Sequence, residues 1–424
     1  MRRGIAATAL VAALTMTAAA CGGDSDGGNN GSKSGKGLSG TVTFWDTSNE
    51  AEKATYKALA EGFEKEHPNV KVNYVNVPFG EANAKFKNAA GGNAGAPDVM
   101  RTEVAWVADF ANLGYLAPLD GTPALDKADD YLPTAAGSTR FNGKTYAVPQ
   151  VTDTLALFYN KKMLKDAGAK VPTSLDELKD ASAKIRKKSG KTGFYLRGDD
   201  PYWFLPYLYG EGGDLVDAKN KTIKVDDQPG VKAYAAMKDL LDSKAAITDA
   251  SDGWNNMENA FKSGKVAMMI NGPWAIEDVS SGAQFKDKEN LGVAPVPAGS
   301  VRQASPQGGW DLSVYAGSKN LDASYEFVKY MSSAKVQQET TEKISLLPTR
   351  KSVYDVPAVA DNEMVKFFKP AVDKAVQRPW IAQGNALFEP IRLQMAKVLS
   401  GDTSPENAAE ATGDAFRKLL KDYK

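Results

Sequence analysis

Thr41-Val42-Thr43-Phe44-Trp45, followed after Thr47-Ser48-Asn49 by the run Glu50 to Glu66 and then by Val70, Val72 and Tyr74, is the stretch that decides the fold class. The first five residues read as a buried-type strand. Between Glu50 and Glu66, the residues Tyr56, Leu59 and Phe63 recur three and four apart, so they share one face of a helix. Pro68 stops that helix, and the alternation Val70, Val72, Tyr74 is a second strand. Pro97-Asp98-Val99-Met100 reads as a third short strand, and Trp106 to Leu113 as a helix ended by Gly114. Strands alternating with helices predict an α/β fold, a mainly parallel sheet with helices on both faces.

The same alternation resumes further along. Asn142-Gly143, between Arg140-Phe141 and Lys144-Thr145-Tyr146, predicts a two-residue hairpin turn. A second series starts near Val151, with a strand at Leu155–Tyr159, helices near Ser174–Lys188, Pro229–Ser243 and Asn255–Ser263, and a strand at Val266–Ile270. A helix-rich tail runs from Asp361 to Lys424, with Leu387, Ile391, Met395 and Val398 on one face. No repeat of solenoid or propeller length is visible.

Composition removes several function classes. In 424 residues, 52 Lys+Arg balance 52 Asp+Glu, and a nucleic-acid binder needs an excess of positive charge. An apolar share of 42% is ordinary for a globular protein, and the length favours two domains over one core. One Cys and one His exclude an internal disulfide, a CxxC pair and a cysteine zinc cage. They also leave almost no material for a Ser-His-Asp triad or a His-rich metal site, so neither a metal nor a cofactor is expected.

The first residues read as an address. Arg2 and Arg3 precede the apolar run Ile5–Ala20, which ends in Ala18-Ala19-Ala20-Cys21; this is the layout of a secretory signal over residues 1–20. The end of that run resembles a bacterial lipobox, with Ala18 where Leu is usual, which implies acylation of Cys21 as the new N-terminus. The Gly, Ser, Asn and Asp that follow make 21–37 a flexible tether. No later segment has the roughly 18 apolar residues of a spanning helix. The expected location is the outer face of the cytoplasmic membrane.

Six stretches share a further property. They are Val42-Thr43-Phe44-Trp45 through Ala60-Glu61-Gly62-Phe63-Glu64, Ala96-Pro97-Asp98-Val99, Tyr146-Ala147-Val148-Pro149, Leu157-Phe158-Tyr159-Asn160-Lys161, Gly264-Lys265-Val266-Ala267-Met268 and Met269-Ile270-Asn271-Gly272-Pro273-Trp274-Ala275. In this order they resemble the extracellular solute-binding proteins of bacterial carbohydrate ABC importers, most of all the maltose/maltodextrin-binding proteins. The resemblance spans 40–424. It implies two α/β lobes joined by a hinge, one of 38–150 and 308–355, the other of 151–307 and 356–424. It further implies a monomeric, non-enzymatic receptor that holds maltose or maltodextrin between the lobes and docks on the permease subunits of the importer.

A pyranose offers hydroxyls at its rim and C–H patches on its faces, so its recognition joins flat aromatics to charged hydrogen-bonding groups. Trp274 lies just past a strand end, where open α/β folds place ligands, and this position favours ligand contact over a core role. Trp310 follows Gly308-Gly309, whose missing side chains would let a ligand approach the backbone. Glu103 and Trp106 flank a strand-to-helix junction. The resemblance makes Glu103 a ligand residue, while its own position suits a helix N-terminus; Trp106 reads equally as core or as sugar contact. Glu50 is either a first-turn acid or, by resemblance, a sugar-binding Glu. The resemblance also nominates Asp153, Tyr202 and Arg378, with a surface ion pair as the alternative for Arg378. Trp203 reads as core, and Lys85, Lys87 and His67 as surface.

Two other functions compete. A secreted glycosidase would also combine acids with aromatics, but it needs two carboxyls flanking one bond. A receptor for an oxyanion, metal or peptide would not need stacking tryptophans. Within the sugar receptors, trehalose or another oligosaccharide is the alternative ligand, because Thr102, Ala105 and Phe388 stand where some maltose binders have polar or Trp contacts.

Overall fold

The computed structural model describes residues 37–424. The expectations for the leader, for Cys21 and for most of the tether fall outside the described residues. β1 (Gly40–Asp46), the helix Lys53–Glu66, β2 (Val70–Asn76), the helix Phe79–Gly91 and β3 (Val99–Glu103) alternate along the chain. A hairpin of β4 (Arg140–Phe141) and β5 (Lys144–Thr145) turns on Asn142 and Gly143, both with positive φ, as the turn type demands. β6 (Ala147–Thr154) then runs through Leu155 into β7 (Ala156–Asn160).

β8 (Thr192–Tyr195), the small hairpin of β9 (Val216–Asp217) and β10 (Thr222–Ile223), β11 (Ala246–Ile247), β12 (Val266–Asn271) and β13 (Leu291–Ala294) follow. The long β14 (Ser305–Val314), with β15 (Leu347–Pro348) and β16 (Ala375–Val376), completes the strands.

These strands make two principal sheets. One has the order β15-β6-β14-β3-β1-β2, with β16 beside β14; the other has the order β11-β8-β12-β7-β13. The expected alternation is present, but the expectation of mainly parallel sheets is corrected. β1 pairs parallel with β2 and β3, whereas β14 pairs antiparallel with β3 and β6. In the second sheet β8 pairs parallel with β11 and β12, whereas β7 pairs antiparallel with β12 and β13. The cause is the crossing. β6 passes directly into β7, so the chain enters the second sheet against the direction of the strands that helices deliver.

Each sheet has its own core. On β1 the period of two sends Phe44 to one face, edge-on to Phe327 at 5.1 Å, and Trp45 to the other with Phe86 and Phe110. The second sheet buries Phe158, Phe194 and Met268 against helices that include the tail, where Leu387, Ile391, Met395 and Val398 are fully buried as their spacing implies. The first helix starts at Lys53 and not at Glu50. Asn49 Oδ1 accepts the N–H groups of Ala51 and Glu52, which holds Glu50 in a turn ahead of the helix.

Candidate functional site

The segments that follow β1, β2, β3, β8 and β12 meet around a cleft of about 720 Å³. All eight residues nominated from sequence (Glu50, Glu103, Trp106, Asp153, Tyr202, Trp274, Trp310 and Arg378) line it. Their surroundings differ from one to the next.

On the side of the first sheet, Arg101 is buried within β3, and its guanidinium is sandwiched by the Tyr56 ring at 4.6 Å and the Trp310 ring at 4.3 Å. Its Nε donates to Gln150 Oε1 at 2.9 Å, and Glu52 stands 3.7 Å from it. Burial pushes the Glu52 carboxyl up to about 7, against the pull of Arg101. Trp106 is buried beneath Phe79, ring on ring at 5.3 Å and 11°, and meets Trp310 edge-on. Phe79 is 53% exposed, so much of the aromatic surface here is its own.

The helix-start reading of Glu103 is present, and the residue also lines the cleft. Its Oε2 accepts the Ala105 N–H at the start of a 3-10 turn, and its Oε1 takes the Arg378 guanidinium. Arg378 is buried and donates from Nε to the Gln307 carbonyl at 3.0 Å, which removes the alternative of a surface ion pair. Asp153, buried on β6, is pushed up to about 7 by burial, with Arg378 opposing and Glu103 adding to the rise. Gly308 and Gly309 line the cleft, and both also stand tight against neighbouring protein atoms. A Cβ on Gly308 would stand 2.1 Å from Asp153 Oδ1 and 2.5 Å from the Tyr202 hydroxyl; one on Gly309 would meet the Val151 carbonyl. These glycines admit neighbouring protein atoms.

The side of the second sheet is a wall of three indoles. Arg197 lies over Trp203 at 4.3 Å and Trp254 at 5.3 Å, and pairs with Asp199 and Asp200 at 3.1 and 3.3 Å. Trp203 is buried, as expected of a core residue, and its Nε1 donates to the Ile270 carbonyl at 2.7 Å; it also lines the cleft. Trp274 meets it edge-on at 6.5 Å and 80°. At the mouth, Glu50 is exposed and pairs with Lys53, while Asn49 Nδ2 reaches across to the Trp274 carbonyl at 3.3 Å.

Sequence reasoning missed Arg101, Glu52, Phe79, Arg197, Asp200 and Trp254. A usable signal existed for Arg101, a charge inside an otherwise apolar strand run. Thr102 faces away from the cleft while Arg101 and Glu103 line it, as alternation on a strand requires; Phe388 does line it. Lys87 pairs with Asp109, and Lys85 lies over the Trp45 ring. Among the described residues, no cluster of His, Cys, Asp and Glu is arranged to hold a metal, and no helix is long and apolar enough to cross a membrane.

The model of the family described as bacterial extracellular solute-binding protein matches residues 47–338. The GacH receptor of Streptomyces glaucescens GLA.O, solved unliganded and in complex with acarbose and an acarbose homolog, is 82% identical, with a TM-score of 0.90 over 91% of this chain and 100% of that one. A maltotriose-binding protein of Pyrococcus abyssi is 26% identical over 348 residues, 80% of this chain and 73% of that protein. A maltooligosaccharide ABC transporter solute-binding lipoprotein of Streptococcus pneumoniae is 26% identical over 341 residues, 77% of each.

Proposed function

Because the chain belongs to the bacterial extracellular solute-binding protein family, a family of receptors and not of enzymes, we propose that its cleft captures maltooligosaccharides and acarbose-type analogues for an ABC importer. One observation carries the reading. The cleft joins the indoles of Trp274 and Trp310 and the rings of Phe79 and Tyr202 to a polar set of buried Asp153 and Arg378 with half-buried Glu103. That is the pairing of flat apolar plates with charge-assisted hydrogen bonds that a pyranose requires. A volume of about 720 Å³ suits a ligand of several rings, since small-molecule sites run from roughly 300 to 1,000 Å³. Five carboxyl-bearing residues (Glu50, Glu52, Glu103, Asp153, Asp200) face three guanidinium groups (Arg101, Arg197, Arg378), which disfavours an anionic ligand.

In this reading Trp274 and Trp310 stack on sugar faces, Tyr202 adds an edge, and Trp106 supports Phe79 from below. Asp153, Glu103 and Arg378 take hydroxyls, and Glu50 meets the ligand at the mouth. The lobes are 38–150 with 308–355 and 151–307 with 356–424, and a sugar that prefers their closed arrangement shifts the equilibrium toward it. Cys21 carries the lipid that holds the receptor at the membrane; mass spectrometry of a membrane fraction tests this, and an unmodified Cys21 would overturn it.

The function itself is tested by calorimetry with maltose, maltotriose, maltotetraose, trehalose and acarbose. Dissociation constants near micromolar, about −8 kcal/mol, are expected for the preferred ligand. Absence of heat with all five would refute the reading, and release of glucose from maltotriose would return the protein to the glycosidases.

A further inference from the structure

Behind the Trp274 segment lies a pair of carboxyl groups that the sugar reading does not use. Glu258, on the helix Gly253–Lys262, is buried, and its Oε1 accepts the side-chain N–H of Asn271 at 3.2 Å. Asn271 ends β12 and accepts the Gly272 N–H on its own Oδ1 at 2.9 Å. Gly272 is packed against Trp274 so closely that a Cβ there would stand 2.2 Å from the six-membered ring. The Gly272 carbonyl then accepts the Ala275 N–H, closing the turn that holds the indole out. One unbroken chain of contacts therefore runs from the Glu258 carboxyl to the Trp274 ring.

The same helix carries Trp254 four residues before Glu258, one turn away on the same side. Glu258 thus ties the element bearing one indole of the cleft to the loop bearing another. On its far side it faces Asp278 of the helix Ile276–Ser280, and Asp278 pairs with Lys262 at 2.6 Å. Two facing carboxyls with one neighbouring lysine hold together when they share a proton and repel when both are ionised.

We propose that Glu258 is a positioning residue, in its protonated form, for the Trp254–Trp274 wall of the cleft, and that its ionisation loosens the wall and weakens ligand binding. The inference rests on the sugar reading of that cleft. Burial and the facing Asp278 push Glu258 up to about 8, with Lys262 and Asn271 pulling the other way. The elements packed around its helix add little. β12 presents Asn271, the turn Ala283–Phe285 has no titratable group, and the Tyr195 hydroxyl of β8 is turned to Asp249 at 2.5 Å. An acid raised in the folded state stabilises below its unfolded value, and that contribution is lost as pH rises through about 8.

The test is a tryptophan-fluorescence titration with maltotriose from pH 6.5 to 9.5, on the wild type, Glu258→Gln and Glu258→Ala. The wild type is expected to weaken about fivefold or more between pH 7 and 9.5. Glu258→Gln, which can still accept from Asn271 and donate to Asp278, should bind as the wild type does at pH 7 and lose the alkaline weakening. Glu258→Ala should weaken binding at every pH. A ligand-free readout separates this inference from the sugar reading: near-UV circular dichroism of the wild type should titrate near pH 8, and that of Glu258→Gln should not. The spectroscopic transition without any maltotriose binding would sink the sugar reading and leave the tie between Glu258 and the indoles. A flat wild-type affinity, or an alkaline loss unchanged in Glu258→Gln, would overturn the inference.

Discussion

The Arg101 guanidinium lies over the Trp310 indole, 4.3 Å from its ring centre, and is itself buried. A cation fixed on one face of an indole leaves the other face as the surface a ligand can use. Arg101 also answers the buried charge of Glu52 at 3.7 Å. Replacing Arg101 with Leu is expected to cost about 1–3 kcal/mol of stability, because Glu52 must then take up a proton and buried Gln150 and Tyr56 lose their donor. Adding Glu52→Gln should recover part of that loss. Urea unfolding of the two variants measures both steps, and an undiminished Arg101→Leu midpoint would contradict the account.

Removing the principal sugar plate has a defined consequence. Trp274→Ala should weaken ligand binding by about 2–4 kcal/mol, as central aromatic anchors do elsewhere. Calorimetry reads the change. Unaltered affinity would mean that the indole only covers Trp203.

Gly308 tests the crowding at the base of the cleft. Gly308→Ala brings a methyl to 2.1 Å from Asp153 Oδ1 and 2.5 Å from the Tyr202 hydroxyl, so both groups must move. A loss of about tenfold or more in affinity, 1.4 kcal/mol, is expected with circular dichroism that still reports a folded chain. Retained affinity would show that neither group needs its present position.

Stability should fall as pH rises across the neutral range. Glu52 and Asp153 are both raised to about 7 by burial, so between pH 4 and 7 the folded state binds more protons than the unfolded chain. Their contribution is whole below about pH 4 and lost by about pH 8. Urea midpoints between pH 4.5 and 8 should therefore decline, and the double variant Glu52→Gln, Asp153→Asn should flatten the decline. A midpoint that climbs over this range in the wild type and is unchanged in the variant would reject the assignment.

Local pattern carried much of this protein. Spacings of two and of three to four identify β1, the helix that begins at Lys53 and the tail helix of Ile391 and Met395, because burial on one face imposes those periods on any chain. The position of Trp274 just after β12 was legible for the same reason, since a strand end is a local event. The set Glu103, Asp153, Tyr202 and Arg378 entered through family likeness. Arg101, Glu52, Arg197 and Trp254 went unread because their roles depend on partners far along the chain or on which strand end faces which, and no periodicity encodes that. The direction of the sheets was likewise a tertiary matter. β14 lies antiparallel to β6 across more than 150 residues of intervening chain, Gln307 opposite Thr154, and antiparallel to β3; this non-local pairing makes the first sheet mixed, as β7 against β12 and β13 makes the second. Short-range sterics and hydrophobic spacing determine the elements, while the direction in which two distant strands meet is settled only when both sheets have cores to close around.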